Sequence, residues 1–171
     1  NDGVITWELM VERLNSELAN TLGNLVNRTI SMSNKYFGGT VTQTGAAEEV
    51  DEDLKKTVLN TLTKVTDKMD QLRVADALTE IFALFKRCNK YIDDETKKDR
   101  LSEVLYNLVE SISYGATLLE SFMPSTSRRI LEQLNAEPRT IEQMNHFGLY
   151  RSGAKVTDKP EILFARMDIK E

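Results

Sequence analysis

Residues 13–39 read RLNSELANTLGNLVNRTISMSNKYFGG, and this segment predicts a helical fold. Apolar residues recur in it at every third or fourth position, which is the period of one buried helix face. The residues on that face are Leu14, Leu18, Leu22, Leu25, Met32 and Tyr36. We therefore predict a long first helix that begins near Thr6 and ends at the paired glycines Gly38 and Gly39, which interrupt helical winding.

The same period continues after Gly39 and predicts three more main helices. The second helix begins near Asp51, the third begins near Val74, and the fourth ends before Pro124. Residues 93–100, between the third and fourth helices, are polar and contain neither Gly nor Pro. A single helix from Val74 through this stretch to Ser121 would be about twice the ordinary upper length of a globular helix, so we predict an antiparallel hairpin that lacks its turn residues.

Two short helices and a tail complete the prediction. Pro124 suits the first turn of a fifth helix, and Thr140 with Gln143 makes the capping box of a sixth helix that stops at Gly148. The helical period is lost after that residue. The predicted fold class is therefore all-α. It is a bundle of four main and two short helices over residues 1–148, with an extended C-terminal tail, 149–171, packed on the bundle.

Composition and charge exclude several classes of protein. The chain has 171 residues, of which 40% are apolar and 29% charged, and this predicts one globular domain. No apolar run approaches the roughly 20 residues that cross a bilayer, so we expect a cytoplasmic protein without a membrane partner. A net charge of −5 argues against binding nucleic acid by neutralising many phosphates. We therefore expect no DNA partner, and any RNA contact must be local.

A second face of the first helix is polar without being acidic. Asn20, Asn24 and Arg28 stand on it at successive four-residue steps, which makes their side chains neighbours. Asn offers a donor and an acceptor, and Arg offers a rigid fork of donors, so together they can hydrogen-bond the edge of an unpaired base. The alternative is a solvated helix face without a ligand. On the residues alone, that alternative is the default interpretation.

Several segments, taken in chain order, resemble the anticodon-binding domain of methionyl-tRNA synthetases. Residues 18–28, LANTLGNLVNR, are similar to its opening helix, and residues 88–93, CNKYID, are the second specific match. The other similar segments are YFGG at 36–39, LRVADAL at 72–78, FMP at 122–124 and LFARMD at 163–168. The resemblance covers nearly the whole chain.

The resemblance implies which residues read RNA. In that family the Asn and Arg of the first-helix motif contact the anticodon, and these residues fall on Asn24 and Arg28. The implied partner is the anticodon loop of tRNA-Met, which carries CAU. Asn20, Asn89 and Tyr91 are further anticodon-binding candidates, although Tyr91 also fits a core position that supports the helix. Cytosine accepts hydrogen bonds at N3 and O2, whereas uracil presents a donor at N3, so an Arg donor suits cytosine.

The resemblance also implies what this fragment does not do alone. Neither a Gly-rich phosphate loop nor the two nucleotide-site signatures of the parent enzyme occur in it. We therefore expect no catalytic residue, no metal and no cofactor here, and no enzymatic activity from the fragment. The parent would be an ATP-dependent methionine–tRNA ligase, whose catalytic domain would bind ATP and methionine and would be the partner of this domain.

The sequence departs from the family pattern at the predicted hairpin. Family members usually follow the CNKYID segment with a Pro-Trp pair whose indole stacks on the anticodon, whereas here residues 95–98 read ETKK. The resemblance resumes at Lys98. We therefore expect a short piece to be missing between Thr96 and Lys97, which also explains why the hairpin has no turn residue.

Two other functions compete with RNA recognition. A helical interaction or assembly module without RNA contact would carry an exposed apolar patch instead of the polar stripe. A small helical enzyme would need titratable groups that converge in a pocket, but Cys88 and His146 are single, and the acidic runs 51–53 and 93–95 lie at predicted helix ends where capping explains them. We rank the enzyme last.

Overall fold

The computed structural model describes residues 7–45, 47–95 and 98–160, and nearly all regular structure in them is helical. The helices are α1 (Trp7–Glu17), α2 (Asn24–Phe37), α3 (Glu49–Asp70), α4 (Val74–Asp94), α5 (Leu101–Leu119) and α6 (Pro124–Leu134). A π-helical turn (Leu18–Gly23) joins α1 to α2, and two 3-10 turns are Lys98–Arg100 and Gln143–Asn145. The strands are β1 (Thr40–Val41) and β2 (Ala154–Lys155). The predicted all-α fold class is confirmed.

The predicted first helix is present but is not regular. The six residues Leu18–Gly23 are wound as a π-helix, in which backbone hydrogen bonds span five residues instead of four. This winding rotates the residues that follow it, so it changes which side chains share a face. The helix ends as predicted at Gly38, whose φ of 60° is a left-handed conformation that glycine adopts without strain. Its predicted start near Thr6 lies outside the described residues.

α5 is the central helix of the bundle, and α4 lies antiparallel to it. Every residue of α5 except Ser102 and Thr117 is buried. Asn107 of α5 contacts Tyr91 late in α4, and Gly115, later in α5, approaches the ring of Phe85, earlier in α4. The reversed order confirms the predicted antiparallel hairpin. Residues 96 and 97, and with them the piece predicted to be missing, lie outside the described part of the chain.

The first helical stretch runs parallel to α4. Arg13 of α1 donates to the Thr79 hydroxyl at 3.2 Å, near the start of α4, and Arg28 of α2 pairs with Asp93 at its end. α2 and the end of α4 therefore lie at one end of the bundle. The turn between α3 and α4, together with α1, lies at the other end.

A buried carboxylate holds the chain that follows α6. Glu110 of α5 is fully buried and accepts two hydrogen bonds from the Arg139 guanidinium, at 2.7 and 2.5 Å. It also accepts one bond each from the backbone N–H groups of Gly148 and Tyr150, at 2.7 and 2.8 Å. Four donors thus compensate the burial of this charge, and they fix the loop after α6 against the central helix.

The same contacts explain why the prediction of a sixth helix is wrong. The capping box forms, because Thr140 and Gln143 exchange hydrogen bonds of 2.9 and 3.2 Å between side chain and backbone. Only a single 3-10 turn follows, however, and His146 is already extended. The backbone N–H groups beyond it donate to Glu110 instead of to helical carbonyls, so the helix does not propagate.

The beginning of the predicted tail contacts the bundle. β2 pairs antiparallel with β1, with Lys155 opposite Thr40, and the Val156 N–H donates to the Gly39 carbonyl at 3.0 Å. Tyr150 and Val156 are buried. The boundary between bundle and tail at residue 148 stays a prediction, and residues 161–171 lie outside the described part. None of the described helices combines the length and the apolar character needed to cross a membrane.

Candidate nucleic-acid interface

The predicted polar stripe lies at the junction between the π-helical turn and α2. Asn20 and Asn24 are exposed, and the Asn24 amide donates to the Asn20 carbonyl at 3.1 Å. Asn20 in turn donates to the Ser16 hydroxyl at 3.3 Å. Each asparagine thus donates one hydrogen bond within its own helix. This bond orients the amide while the side chain stays exposed to solvent.

Arg28 connects the polar stripe to the end of α4. Its Nη2 donates to Oδ1 of Asp93 at 2.6 Å, and the two side chains are 40% and 61% exposed. An ion pair this open is worth at most about 1 kcal/mol, so a ligand can compete with it at little cost. The guanidinium has five N–H donors, and the bond to Asp93 engages only Nη2. The pair therefore presents a donor fork and an acceptor next to each other.

Asn89 connects α4 to the π-helical turn. Its amide donates to the Thr21 carbonyl at 3.0 Å, and the side chain is partly buried. Because π-helical winding displaces backbone hydrogen bonds from their usual partners, a side-chain donor from a neighbouring helix helps to stabilise it. Asn89 thus lies beside the polar stripe. Its bond to Thr21 links the π-helical turn of the first helix to α4.

Tyr91 is placed differently from the prediction that it contacts RNA. Its side chain is completely buried, its hydroxyl donates to Oδ1 of Asp51 at 2.6 Å, and it accepts from the Asn107 amide at 3.1 Å. A ring enclosed in this way cannot touch a base. The physical reason is helical spacing, which directs Tyr91 toward α3 and α5 while Asn89 and Asp93 lie on another side of α4. Tyr91 supports the site and does not form it.

A cluster of charges fixes the end of α4 that carries the site. Arg100 pairs with Asp51 at the start of α3, with Glu95 just after α4, and with Glu48 at 3.2 Å. Burial by itself raises the pKa of the Asp51 carboxyl, but hydrogen bonds from Tyr91, Arg100 and the Glu48 N–H, with the charge of Arg100, lower it below its ordinary value overall. Burial is likewise the main reason that the pKa of Tyr91 is raised.

The structure brings together four of the five residues predicted from sequence and adds one. Asn20, Asn24, Arg28 and Asn89 lie on adjoining surfaces of the first helix and α4. The added residue is Asp93, which in the sequence belongs to the acidic run 93–95 at a predicted helix end. One signal could have found it, since Asp93 follows Asn89 by four residues and therefore shares its helix face.

Comparison with known families assigns this architecture to a class. The model of the family described as the anticodon-binding domain of tRNA ligase matches residues 51–162. The chain belongs to this family. The matched region covers α3 to β2 and includes Asn89, Tyr91 and Asp93, whereas the polar stripe on the first helix precedes it.

Within that family the chain is similar to methionine–tRNA ligases. It is 43% identical to that of Caldanaerobacter subterraneus subsp. tengcongensis, 41% to that of Clostridium tetani and 40% to that of Halalkalibacterium halodurans. These similarities span 99–100% of this chain, so they include the polar stripe, but only 28% of each relative. The alignment with the first extends over 180 positions against 171 residues here, so that relative has residues that this chain lacks.

Solved structures give the same assignment. The apo form of Mycobacterium tuberculosis methionyl-tRNA synthetase superposes with a TM-score of 0.82 at 27% identity, over 96% of this chain and 35% of that one. The same enzyme bound by methionyl-adenylate gives a TM-score of 0.79 at 26% identity, over 90% of this chain and 32% of that one. In both comparisons the bundle corresponds to about a third of a larger protein.

Proposed function

We propose that this domain reads the CAU anticodon of tRNA-Met for a methionine–tRNA ligase of which it is one part. Asn24 and Arg28 are the principal base readers, Asn20 and Asn89 flank them, and Tyr91 holds α4 in position from behind. The observation that carries the proposal is the pairing of Arg28 with Asp93 beside the exposed asparagines. Membership of the anticodon-binding family and similarity to methionine–tRNA ligases support it.

The chemistry of the pair fits cytosine better than uracil. The Arg28 fork can donate to N3 and O2 of cytosine, while the Asp93 carboxylate can accept from the exocyclic amino group at C4. Uracil reverses two of these positions, because its N3 carries a proton and its C4 carries a carbonyl. The wrong base would therefore leave like groups facing each other, and such a mismatch costs about 1–3 kcal/mol.

The remaining functions belong, in this proposal, to the rest of the parent protein. ATP and methionine bind the catalytic domain, and this domain contributes no cofactor, metal or catalytic group. Its contacts with the anticodon position the acceptor end of the tRNA, which is how binding energy at a distance assists charging. Its location is the cytoplasm, where the tRNA is charged.

A pair of RNA stem-loops tests the proposal. Fluorescence anisotropy would compare binding of an anticodon stem-loop with CAU and one with UAU. We expect the wild-type chain to prefer CAU by about 1–3 kcal/mol, and Arg28→Ala to weaken CAU binding while changing UAU binding little. Arg28→Lys keeps the charge without the planar fork, so it should not restore the preference. Asn24→Ala should behave like Arg28→Ala.

The matched control is Arg128→Ala, which removes an exposed arginine from α6. It should leave the preference for CAU unchanged, and each variant should unfold at nearly the wild-type temperature, since exposed side chains contribute little to stability. If Arg28→Ala weakens both RNAs equally, Arg28 is only a phosphate contact and the proposed reading of cytosine is incorrect.

A further inference from the structure

The turn between α3 and α4 exposes apolar side chains that the bundle does not use. Leu72 is 87% exposed, Val74 is 48% exposed and Met69 is 38% exposed. We call these three residues the turn patch. Leu72 and Val74 belong to the LRVADAL segment, which the proposed RNA contacts leave without a role, and Met69 precedes it near the end of α3. Single exposed apolar residues are ordinary, but three so close along the chain form a candidate interaction surface.

Leu72 is also held in an unfavourable backbone conformation. Its φ is 60°, in the left-handed region, where a branched side chain is strained. The Leu72 N–H donates to the Met69 carbonyl at 2.9 Å and the Arg73 N–H donates to the Lys68 carbonyl at 2.8 Å, which is the Schellman motif that ends many helices. Glycine is the usual residue at this position of the motif, and asparagine is the next most common.

Two other helices of this chain end in the same way with the usual residues. α2 ends with Gly38 at φ 60°, and α6 ends with Asn135 at φ 54°. Only at the end of α3, among these three, does a large apolar residue occupy the left-handed position. Leu72 therefore strains the backbone and exposes an apolar side chain at once, and no contact in the described part of the chain compensates either effect.

The position of the turn patch favours one occupant. α4 has 21 residues, so the patch lies roughly 30 Å from the Arg28–Asp93 pair and is separate from the RNA surface. α1 begins at the same end of the bundle, so protein attached ahead of that helix would be tethered beside the patch. The chain spans only 28% of the methionine–tRNA ligases it matches, which leaves most of such a protein to provide a covering surface.

We propose that the turn patch, with Leu72 at its centre, docks against an apolar surface in the remainder of the parent ligase and fixes the orientation of the bundle. This rests on the proposed function only in taking the parent to be a multidomain ligase. Docking buries the three side chains, and the left-handed turn keeps the Leu72 side chain pointing away from the bundle toward the docked surface. The strain is then offset in the assembled protein and not in the bundle alone.

Hydrogen exchange, compared between this chain alone and the intact parent, tests the inference. We expect the amides of residues 69–75 to exchange at least about tenfold more slowly in the intact parent, because docking suppresses local opening. In the chain alone, Leu72→Gly should raise Tm by about 2–4 °C by relieving the strain. In the intact parent, the same substitution should return the exchange of residues 69–75 toward the rate in the isolated chain.

The control is Asn135→Gly, which changes a left-handed residue at another helix end and should leave exchange at residues 69–75 unaltered in both proteins. Equal exchange in the chain alone and in the parent would overturn the inference. So would protection that appears only when tRNA is added, or protection that depends on the concentration of the isolated chain, which would indicate RNA or a second copy as the occupant. None of these results depends on whether Arg28 reads cytosine.

Discussion

The Asp51 side chain both caps a helix and links that helix to distant parts of the chain. The sequence predicts that it caps α3, and it does form the capping box there, accepting from the Glu48 N–H at 2.8 Å. It is also fully buried and is the point where Tyr91 and Arg100 meet. A residue that looks like a solvated cap in the sequence is therefore a buried anion that joins α3, α4 and the start of α5.

The lowered pKa of Asp51 predicts how stability depends on acid. Because the folded pKa lies below the ordinary value of 3.8, ionised Asp51 stabilises the fold above that pH, and the contribution disappears as pH falls through the folded pKa. We expect Asp51→Asn to lower the free energy of unfolding at pH 7 by about 1–3 kcal/mol and to flatten its fall below pH 4. Urea unfolding at a series of pH values measures both effects.

The exposed Asp53 on the same turn of α3 provides the control for this experiment. Asp53→Asn should leave stability at pH 7 nearly unchanged, since surface substitutions away from special features have small effects. A variant Asp51→Asn whose stability falls with acid as steeply as that of the wild type would show that the buried cluster does not cause the acid sensitivity.

At the scale of elements, close packing of α4 on α5 sets the geometry of the site. The α5 residue Gly115 faces the buried ring of Phe85, and a Cβ atom at position 115 would lie 2.5 Å from the nearest ring carbon. The absence of a side chain there lets the two helices approach. The position of α4, and with it that of Asn89 and Asp93 relative to the first helix, depends on this contact.

Gly115→Ala should therefore destabilise the bundle, although the same change inside an ordinary helix is favourable by about 1 kcal/mol. We expect a net loss of about 1–3 kcal/mol in the free energy of unfolding, since a rigid buried ring has to move. Chemical denaturation measures the loss. Because Phe85→Leu removes the ring, Gly115→Ala should cost less in a Phe85→Leu background than in the wild type. An equal cost of Gly115→Ala in both backgrounds would refute the steric explanation.

At the scale of the whole molecule, a net charge of −5 must be reconciled with an RNA partner. The end of the bundle that carries Arg28 also carries Asp93, Glu48 and Glu95, the last two paired with Arg100, so its charges are mixed and do not favour binding through a broad positive field. Recognition by a few directional contacts fits this surface, since base-edge hydrogen bonds select a sequence while phosphate contacts only position it.

This mode of binding predicts a weak dependence on salt. Each phosphate contact contributes about −0.7 to the slope of log K against log salt concentration for single-stranded RNA, so one or two contacts should give a slope of roughly −0.7 to −1.4. Stem-loop titrations between low and moderate salt would measure it. A slope several times steeper would mean that the domain binds mainly through phosphates, contrary to the mechanism proposed for Arg28 and Asp93.

The helices, most of their ends and the class of the fold follow from local patterns in the sequence. The apolar period of residues 13–39 predicted a buried helix face, and the glycines and Pro124 marked boundaries, because these signals are local properties of the backbone. The stripe of Asn20, Asn24 and Arg28 was also visible, since its members are close along the chain.

Contacts between distant residues, in contrast, become visible in the folded chain. The bond from Asn89 to the π-helical turn, the pairing of Asp93 with Arg28 and the burial of Tyr91 join parts of the chain that are 40 to 68 residues apart. The bonds from the Gly148 and Tyr150 N–H groups to Glu110 likewise hold a loop where the sequence predicts a sixth helix. Local periodicity specifies which face of an element is buried, but it does not specify which partner covers that face, because that depends on how all the elements pack together.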